Sequence, residues 1–375
     1  MIHKEVAVVG GGPAGLTASI ELAKRDVDVA LIDENLQAGG QLLKQTHKFF
    51  GSEEHYAGIR GFNIAEKLIE EAKGLTVDFL LEGSTYSVYE NKVLAVKKGK
   101  STRLISAEKV IFATGASEKV INFPGWTLPG VMGAGAVQTF VNQHKVLPGR
   151  KFTIVGSGNV GTIVAYQLLQ AGAEVAAVVE AAQDIGSYYV HANKAIRSGD
   201  IPVFTSHTIK EAIGDESVDS VTIAEVNDNW QPVPGTEKKI DTDVVCLAVG
   251  LRPRTKLTSL AGCRSVYSST LGGKVPLHDE NMETSAGGVY VAGDVAGVEE
   301  ASIAIEEGRL AGVSAASSLD YISSLSQEEQ KKEIRDRLGL LRGGKYGEER
   351  AEEKERIRGI FNERVERTES STTRR

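Results

Sequence analysis

A chain of 375 residues with 41% hydrophobic content is long enough to build two hydrophobic cores. A formal charge of -7 and an isoelectric point near 5.7 leave no basic excess for nucleic acid or anionic lipid, which argues against polyanion binding. No run approaches the roughly 20 apolar residues of a membrane span, and MIHKEVAVVGGG leads directly into a strand and a glycine turn rather than a signal peptide, so a cytoplasmic protein is expected.

The first element is the apolar run Val6 to Val9, followed by Gly10-Gly11-Gly12-Pro13-Ala14-Gly15, by Leu16 to Lys24 with helical spacing, and by Val29 to Ile32 ending at Asp33. The order is strand, glycine turn, helix, strand, acid. Short alternating segments from Val77 to Val96 predict an antiparallel meander, and Val110 to Phe112 leads a buried strand into Ala113-Thr114-Gly115. The same grammar then repeats. Phe152 to Val155 precedes Gly156-Ser157-Gly158-Asn159-Val160-Gly161, a helix through Gln170, and Val175 to Val179 ending at Glu180. A second meander is predicted over Ile201 to Val226, and Val244 to Val249 closes at Gly250.

A third glycine site, Gly288 to Asp294, opens a helix from about Glu299 to Ser318 and has no meander of its own. The economical topology inserts the second copy into the first. This predicts an α/β chain of two Rossmann-like dinucleotide-binding domains, each a parallel sheet plus an antiparallel meander. The first takes residues 1–122 and 278–323 and the second takes 123–277. A charged tail, 324–375, is left over. Ser326 to Glu329 fits a capping box and Glu328 to Leu341 an amphipathic, partner-docking helix, with the rest expected to be disordered on its own. On this reading a chain trimmed near Leu325 keeps its cofactor and loses its complex.

Glycine turns are common, but here each follows a strand, opens a helix and is answered by an acid about twenty residues on. The first glycine permits the turn, the second lets the backbone approach a pyrophosphate, and the third packs helix on strand, so that the helix N-terminus faces phosphate. Asp33 and Glu180 are then ribose acceptors, the alternative for each being a solvated strand end. Gly39-Gly40-Gln41 suits a backbone passing a flat ring, and Asp294 is placed for the ribityl and pyrophosphate side of FAD, so the first site is assigned to FAD. Glu180 is followed by Ala181-Ala182-Gln183 with no cation for a 2'-phosphate, which favours NAD(H) over NADP(H) in the second. The alternative there is a fold kept without a working nicotinamide site. Cys246 and Cys263, 17 residues apart, form neither a CxxC pair nor a cluster ligand set, so any carrier within the chain is organic.

With GGGPAG, IFATG, AVG and YVAGD in this order, the chain resembles the two-dinucleotide-binding-domain flavoproteins of the pyridine-nucleotide-disulfide oxidoreductase superfamily over about residues 4 to 320. Phe123-Pro124-Gly125-Trp126-Thr127-Leu128-Pro129-Gly130-Val131-Met132 is similar to the interdomain linker of one narrower group. That group holds the FAD/NAD-binding subunits of amine and amino-acid dehydrogenases: opine oxidase, sarcosine oxidase alpha, dye-linked proline dehydrogenase and hydrogen cyanide synthase. Gly186-Ser187-Tyr188 and Thr205 to Thr208 are similar to that group as well. The resemblance implies FAD contacts at Gly10, Gly12, Pro13, Ala14, Gly15, Asp33, Glu34, Gly40, Gln41, Thr114, Gly115, Gly293, Asp294 and Ala301. It implies an NAD-type site at Gly156, Gly158, Gly161, Glu180 and Gly250. The chain departs from the disulfide reductases in lacking a cysteine pair, and from many of the dehydrogenase subunits in lacking cluster cysteines after the last helix. An iron-sulfur cluster, if the complex has one, then belongs to another polypeptide.

His47, Lys48 and Glu118 are the candidates for a catalytic role beside the flavin, against the plainer reading of Gln45 to Tyr56 as a surface loop anchored by its aromatics. His144, His191 and His207 lack metal-ligand spacing, and no metal is expected. The leading functional expectation is hydride transfer between NAD(H) and FAD in a subunit of an amine or amino-acid dehydrogenase complex. Its partner would be another flavoprotein or iron-sulfur subunit, with a small-molecule substrate on that partner or a free acceptor. The rivals are a free-standing NADH:acceptor reductase and a non-catalytic flavoprotein scaffold.

Overall fold

The computed structural model describes residues 1–197, 199–344 and 347–372, which divide into two compact units. The first comprises Met1–Leu43, Lys48–Ser117 and Arg252–Arg375, and the second comprises Lys44–His47 and Glu118–Leu251. The second is therefore inserted in the first.

In the first unit a seven-stranded sheet runs in the order Asp78–Leu80, Val29–Ile32, Ile2–Val9, Ser101–Phe112, Val93–Lys98, Ser84–Tyr89, with Val289–Val291 also paired to Ser101–Phe112. The first four strands are parallel. On the edge away from Ile2–Val9 the 12-residue strand Ser101–Phe112 serves two partners: its first half pairs antiparallel with Val93–Lys98 and its end pairs parallel with Val289–Val291. A continuous apolar run such as Val6–Val9, buried throughout, is what a strand covered on both faces requires. The meander expected over Val77 to Val96 is shifted: Asp78–Leu80 joins the parallel sheet, and the antiparallel part lies over 84–106. The helices Pro13–Ala23 and Ala301–Ser317 pack closely against each other. A Cβ on Gly308 would fall 2.2 Å from the Ala14 carbonyl oxygen, so only glycine allows that approach.

The second unit has a five-stranded parallel sheet in the order Val203–Phe204, Glu174–Val179, Lys151–Val155, Val244–Leu247, Val131–Gly133. Side chains of alternate register serve opposite faces. Phe152, Ile154, Val178 and Cys246 meet Val164 and Leu168 of the helix Asn159–Gln170, while Val155, Val179, Val245 and Leu247 meet Ile209, Val221 and Ile223 of a three-stranded antiparallel sheet. Here too the predicted meander is displaced, to His207–Ile213, Ser220–Glu225 and Lys238–Asp241. Val203–Phe204 belongs to the parallel sheet instead.

Residues 44–47 and 118–122 group with the second unit rather than the first, and two longer segments also sit elsewhere than expected. Residues 252–277 lie with the first unit, because the hairpin Ser265–Ser268/Gly273–Pro276 has a small core of its own in Leu271, Val275 and Leu277 that is closed by Ile357. Ile357 belongs to the tail. That tail forms two helices, Ser324–Leu341 and Glu348–Thr372, and its Ile334, Leu338 and Ile357 are buried. Composition predicts disorder here; the few apolar residues are nevertheless spaced to seat both helices, and the cations meet buried carboxylates described below. Ser326 lies inside the first turn rather than at the cap, which is Ser323. Truncating Ile357 to alanine is expected to cost about 2–4 kcal/mol of stability in urea unfolding; a loss below about 0.5 kcal/mol would show that the tail is not part of this core.

Candidate functional site

The first strand ends at Gly10, whose φ of +109° and position leave no room for a side chain: a Cβ would come 2.2 Å from the Ala113 carbonyl oxygen. Gly15 packs as tightly, with a would-be Cβ 1.8 Å from the Gly10 carbonyl oxygen. The helix that follows starts at Pro13, with Gly12 at its N-cap and no side chain capping it, and Ala14 buried in its first turn. Its first amides are therefore left for a ligand, which is how a helix N-terminus receives phosphate. Gly40 crosses over Gly12, and a Cβ there would lie 2.8 Å from the Gly12 Cα. Asp33 is 7% exposed. One of its oxygens accepts from the Gly11 amide at 2.6 Å, and the other accepts from the Asn35 amide and side chain, each at 2.8 Å. Three of about four acceptor positions on the carboxylate are thus used internally, which fixes its orientation and leaves capacity for one ligand hydroxyl.

Gly293 has φ +73° and packs on Ala14, with a would-be Cβ 3.0 Å from the Ala14 Cβ. Asp294 is the next residue. Among the described residues its carboxylate accepts one bond, a long one of 3.4 Å from the Glu299 amide. Burial, with Glu307, Glu299 and Glu300 nearby, pushes its pKa up to about 7. A carboxyl so placed is short of donors, and the hydroxyls of a polyol chain would supply them. Ala301 opens the helix Ala301–Ser317, again without a side-chain cap. Thr114 donates to the Arg254 carbonyl oxygen at 2.9 Å, and the Gly115 carbonyl accepts from the Arg254 amide at 2.9 Å. Arg254 also pairs with the exposed Glu34 at 3.1 Å. Gln41 is exposed in the turn Gly40–Lys44, and Lys48 is exposed on the same unit.

The second unit repeats the glycine turn and its acid, with different side chains around them. A Cβ on Gly156 would fall 2.4 Å from the Ala248 carbonyl oxygen, and one on Gly161 would fall 2.1 Å from that of Gly156. Gly158 is the N-cap of an uncapped helix. Glu180 accepts from the Ser157 amide at 2.8 Å and hydroxyl at 2.7 Å, and from the Ala182 amide at 2.9 Å. The segment after Glu180 folds back: the Gly186 amide donates to the Ser157 hydroxyl at 3.0 Å and the Tyr188 amide to the Asn159 side chain at 2.9 Å. Gly186 thereby takes over Gly158 the place that Gly40 takes over Gly12, with a looser clearance of 3.8 Å from would-be Cβ to Cα. Gly250, at φ +103°, accepts from the Lys119 amide at 2.9 Å.

His47 and Glu118 both lie in the second unit. The His47 ring stands edge-on to His191, 6.1 Å between centroids, and His191 stacks with Tyr188. Glu118 accepts from the Gly135 amide at 2.6 Å, at the start of the short helix Ala134–Gln138. Both cysteines are free and buried, and burial raises both thiols above the usual range, so neither supplies a thiolate. Among the described residues no group of three or more His, Cys, Asp or Glu could hold a metal ion, and no helix is long and apolar enough to cross a membrane. The residues that sequence reasoning missed are Glu307, Arg342 and Lys354, which meet behind Asp294. The available signal was the adjacent pair Glu306-Glu307 inside a mostly small and apolar helix with one cation, Arg309, of its own.

Compared with known proteins, residues 4–308 match the family model described as pyridine nucleotide-disulphide oxidoreductase. The chain belongs to the pyridine nucleotide-disulphide oxidoreductase family. It is similar to an opine oxidase subunit of Rhizobium meliloti, at 32% identity over 85% of this chain and 64% of that protein. It is also similar to hydrogen cyanide synthase subunit HcnB of Pseudomonas aeruginosa, at 27% identity over 92% and 77%. The opine oxidase subunits are longer, and the chain spans about two thirds of their length. Among solved structures, thioredoxin reductase of T. acidophilum shares the fold with a TM-score of 0.69 at 22% identity, covering 85% of this chain and 100% of that one. As a member of this family the chain is an oxidoreductase of the flavoprotein class.

Acid should weaken the second unit through His47. Burial first, then the neighbouring His191 and Lys194, lower its pKa to about 4 from an ordinary 6.5. The folded state therefore binds fewer protons than the unfolded one between those values. Stability is complete above pH 6.5 and falls as pH drops towards 4, by up to about 3 kcal/mol. Urea midpoints measured across this window should flatten in His47→Gln; an equal slope in both proteins would remove His47 as the cause.

Proposed function

We propose that the first glycine turn holds FAD and the second NAD(H), and that the protein passes a hydride between them as one component of an amine or amino-acid dehydrogenase complex. The observation that carries this is the duplicated cradle: at each turn an uncapped helix start, a glycine crossing over the middle glycine, and an acid oriented by its own loop with one acceptor position to spare. Bound there, the two cofactors would supply the redox chemistry, a nicotinamide as hydride carrier and a flavin as its acceptor. The chain's residues bind and orient. The amides opening Pro13–Ala23 and Asn159–Gln170 receive pyrophosphates, and Asp33 and Glu180 accept from ribose hydroxyls. Asp294 would accept from the ribityl hydroxyls, and the helix start at Ala301 would favour the negative charge that develops on a reduced flavin. Gly40, Gln41, Thr114 and Gly115 border the same space.

NAD(H) rather than NADP(H) is proposed because the residues directly after Glu180 supply no cation for a 2'-phosphate. Membership of a complex is supported by relatives that are named subunits, of opine oxidase and of hydrogen cyanide synthase. The partner is then a second flavoprotein or iron-sulfur subunit that brings the amine, amino acid or opine.

The test is an anaerobic titration of the purified chain with NADH, and separately with NADPH, watching the visible absorbance of the flavin. Stoichiometric bleaching by NADH is expected; a flavin that stays oxidised would remove the hydride path and leave the second turn a structural one. In Glu180→Ala the flavin content should be unchanged while the NADH concentration giving half-maximal rate of flavin bleaching, followed by stopped flow, rises at least ~10-fold, since hydrogen bonds to a charged acceptor are worth about 1.5–3 kcal/mol.

A further inference from the structure

The helix Ala301–Ser317 carries two adjacent glutamates, Glu306 and Glu307, at 0% and 1% exposure. Buried carboxylates need cations and donors. Glu306 is met by Arg309 at 2.5 Å, by Arg337 of the first tail helix at 3.0 Å and by His55 at 3.2 Å. Glu307 is met entirely from the tail on one oxygen, by Arg342 at 2.6 Å and Lys354 at 2.8 Å, while its other oxygen accepts from the Gly293 amide at 2.9 Å. Arg342 also grips both oxygens of Glu299, at 2.9 and 2.6 Å, and Lys354 donates to the Ala296 carbonyl at 2.9 Å.

Side chains of all four charged groups are 6% exposed or less, two of each sign. Such a foursome adds little stability over apolar packing of the same volume. What it supplies is geometry: the Gly293 amide, the Ala296 carbonyl and Glu299 are three fixed points on the turn that carries Asp294. We propose that the tail helices, through Arg342 and Lys354 as positioning residues, clamp the turn 293–300 and so hold Asp294 in place for the flavin cofactor. The proposal rests on the FAD reading above. It also replaces the sequence-based expectation for a chain trimmed near Leu325. Such a chain would leave Glu307 without its cations and the turn 293–300 without its clamp, and would lose the flavin rather than retain it.

The clamp also sets the local charge. Glu299, Glu300 and Glu307 crowd Asp294 with negative charge, and Arg342 and Lys354 offset it. Removing one cation leaves an excess negative charge near the flavin and disfavours its reduction.

The experiment compares the full chain with Lys354→Met, with Arg342→Lys as a milder variant that keeps the charge but loses the fork, and with Lys332→Ala as an exposed control on the same tail. Three quantities are read: amide hydrogen exchange at 293–300 without cofactor, FAD dissociation constant, and midpoint potential of the bound flavin. Lys354→Met is expected to speed exchange at 293–300 while leaving Pro13–Ala23 protected, to weaken FAD at least ~10-fold, and to lower the midpoint potential. The double variant Glu307→Gln/Lys354→Met, neutral again, should recover the potential, which a merely structural role of Lys354 would not produce. A folded Lys354→Met with unchanged exchange overturns the clamp. Faster exchange with FAD affinity and potential unmoved overturns its role at the cofactor. A wild-type chain that takes up no FAD overturns the FAD reading and the cofactor role together, and the exchange data then decide the clamp alone.

Discussion

The structure depends on a place where two backbones touch with nothing between them. At Gly10 the chain passes so close to the carbonyl of Ala113 that a single added carbon would overlap it, and Gly15 presses in the same way on Gly10. These contacts let the strand Ile2–Val9 turn directly into the helix Pro13–Ala23, so that helix ends up with its unsatisfied amides at the carboxyl edge of the sheet. Everything assigned to the first site follows from that edge: the acid at the end of the neighbouring strand, the crossing at Gly40, and the second glycine-acid pair at Gly293 and Asp294. The second unit solves the same problem with Gly156, Ala248 and Gly161.

Much of this was legible because glycines forced by backbone contact announce themselves in a sequence. The strand-turn-helix-strand-acid order gave both units and the insertion, and the acids Asp33 and Glu180 sit where their spacing places them. The meander boundaries were not legible to the residue. A short apolar run such as Val203–Phe204 reads the same whether its partner is parallel or antiparallel, and only the third dimension decides. His47 illustrates another limit. Its position after the glycine pair suggested a neighbour of the first site, but the four-residue segment Lys44–His47 packs with the second unit, where the Gln167 side chain donates to Thr46 and Asn142 donates to the Lys44 carbonyl.

The tail shows why composition misleads when buried charge is at stake. A stretch with so few apolar residues reads as unable to bury itself, and by hydrophobicity alone it would not. Its seat is prepared elsewhere, by Glu299, Glu306 and Glu307 on or just before a helix, 31 to 47 residues upstream of the cations they meet. Complementary charge buried over that distance leaves no periodicity to detect. Two acidic residues inside an apolar helix were the only trace, and they ask a question whose answer lies in Arg337, Arg342 and Lys354.

The position of these cations in the chain imposes an order on assembly. Ser101–Phe112 receives its parallel neighbour Val289–Val291 only after the whole inserted unit has been made, and the carboxylates of the following helix meet their counter-charges only once residue 354 has been made. A nascent chain thus finishes its inserted unit first and carries the first one, already begun at residue 1, as an open sheet edge and an unneutralised helix. Translation speed and chaperone access during that interval, rather than the final stability of the fold, would then govern how much of the protein reaches its native form.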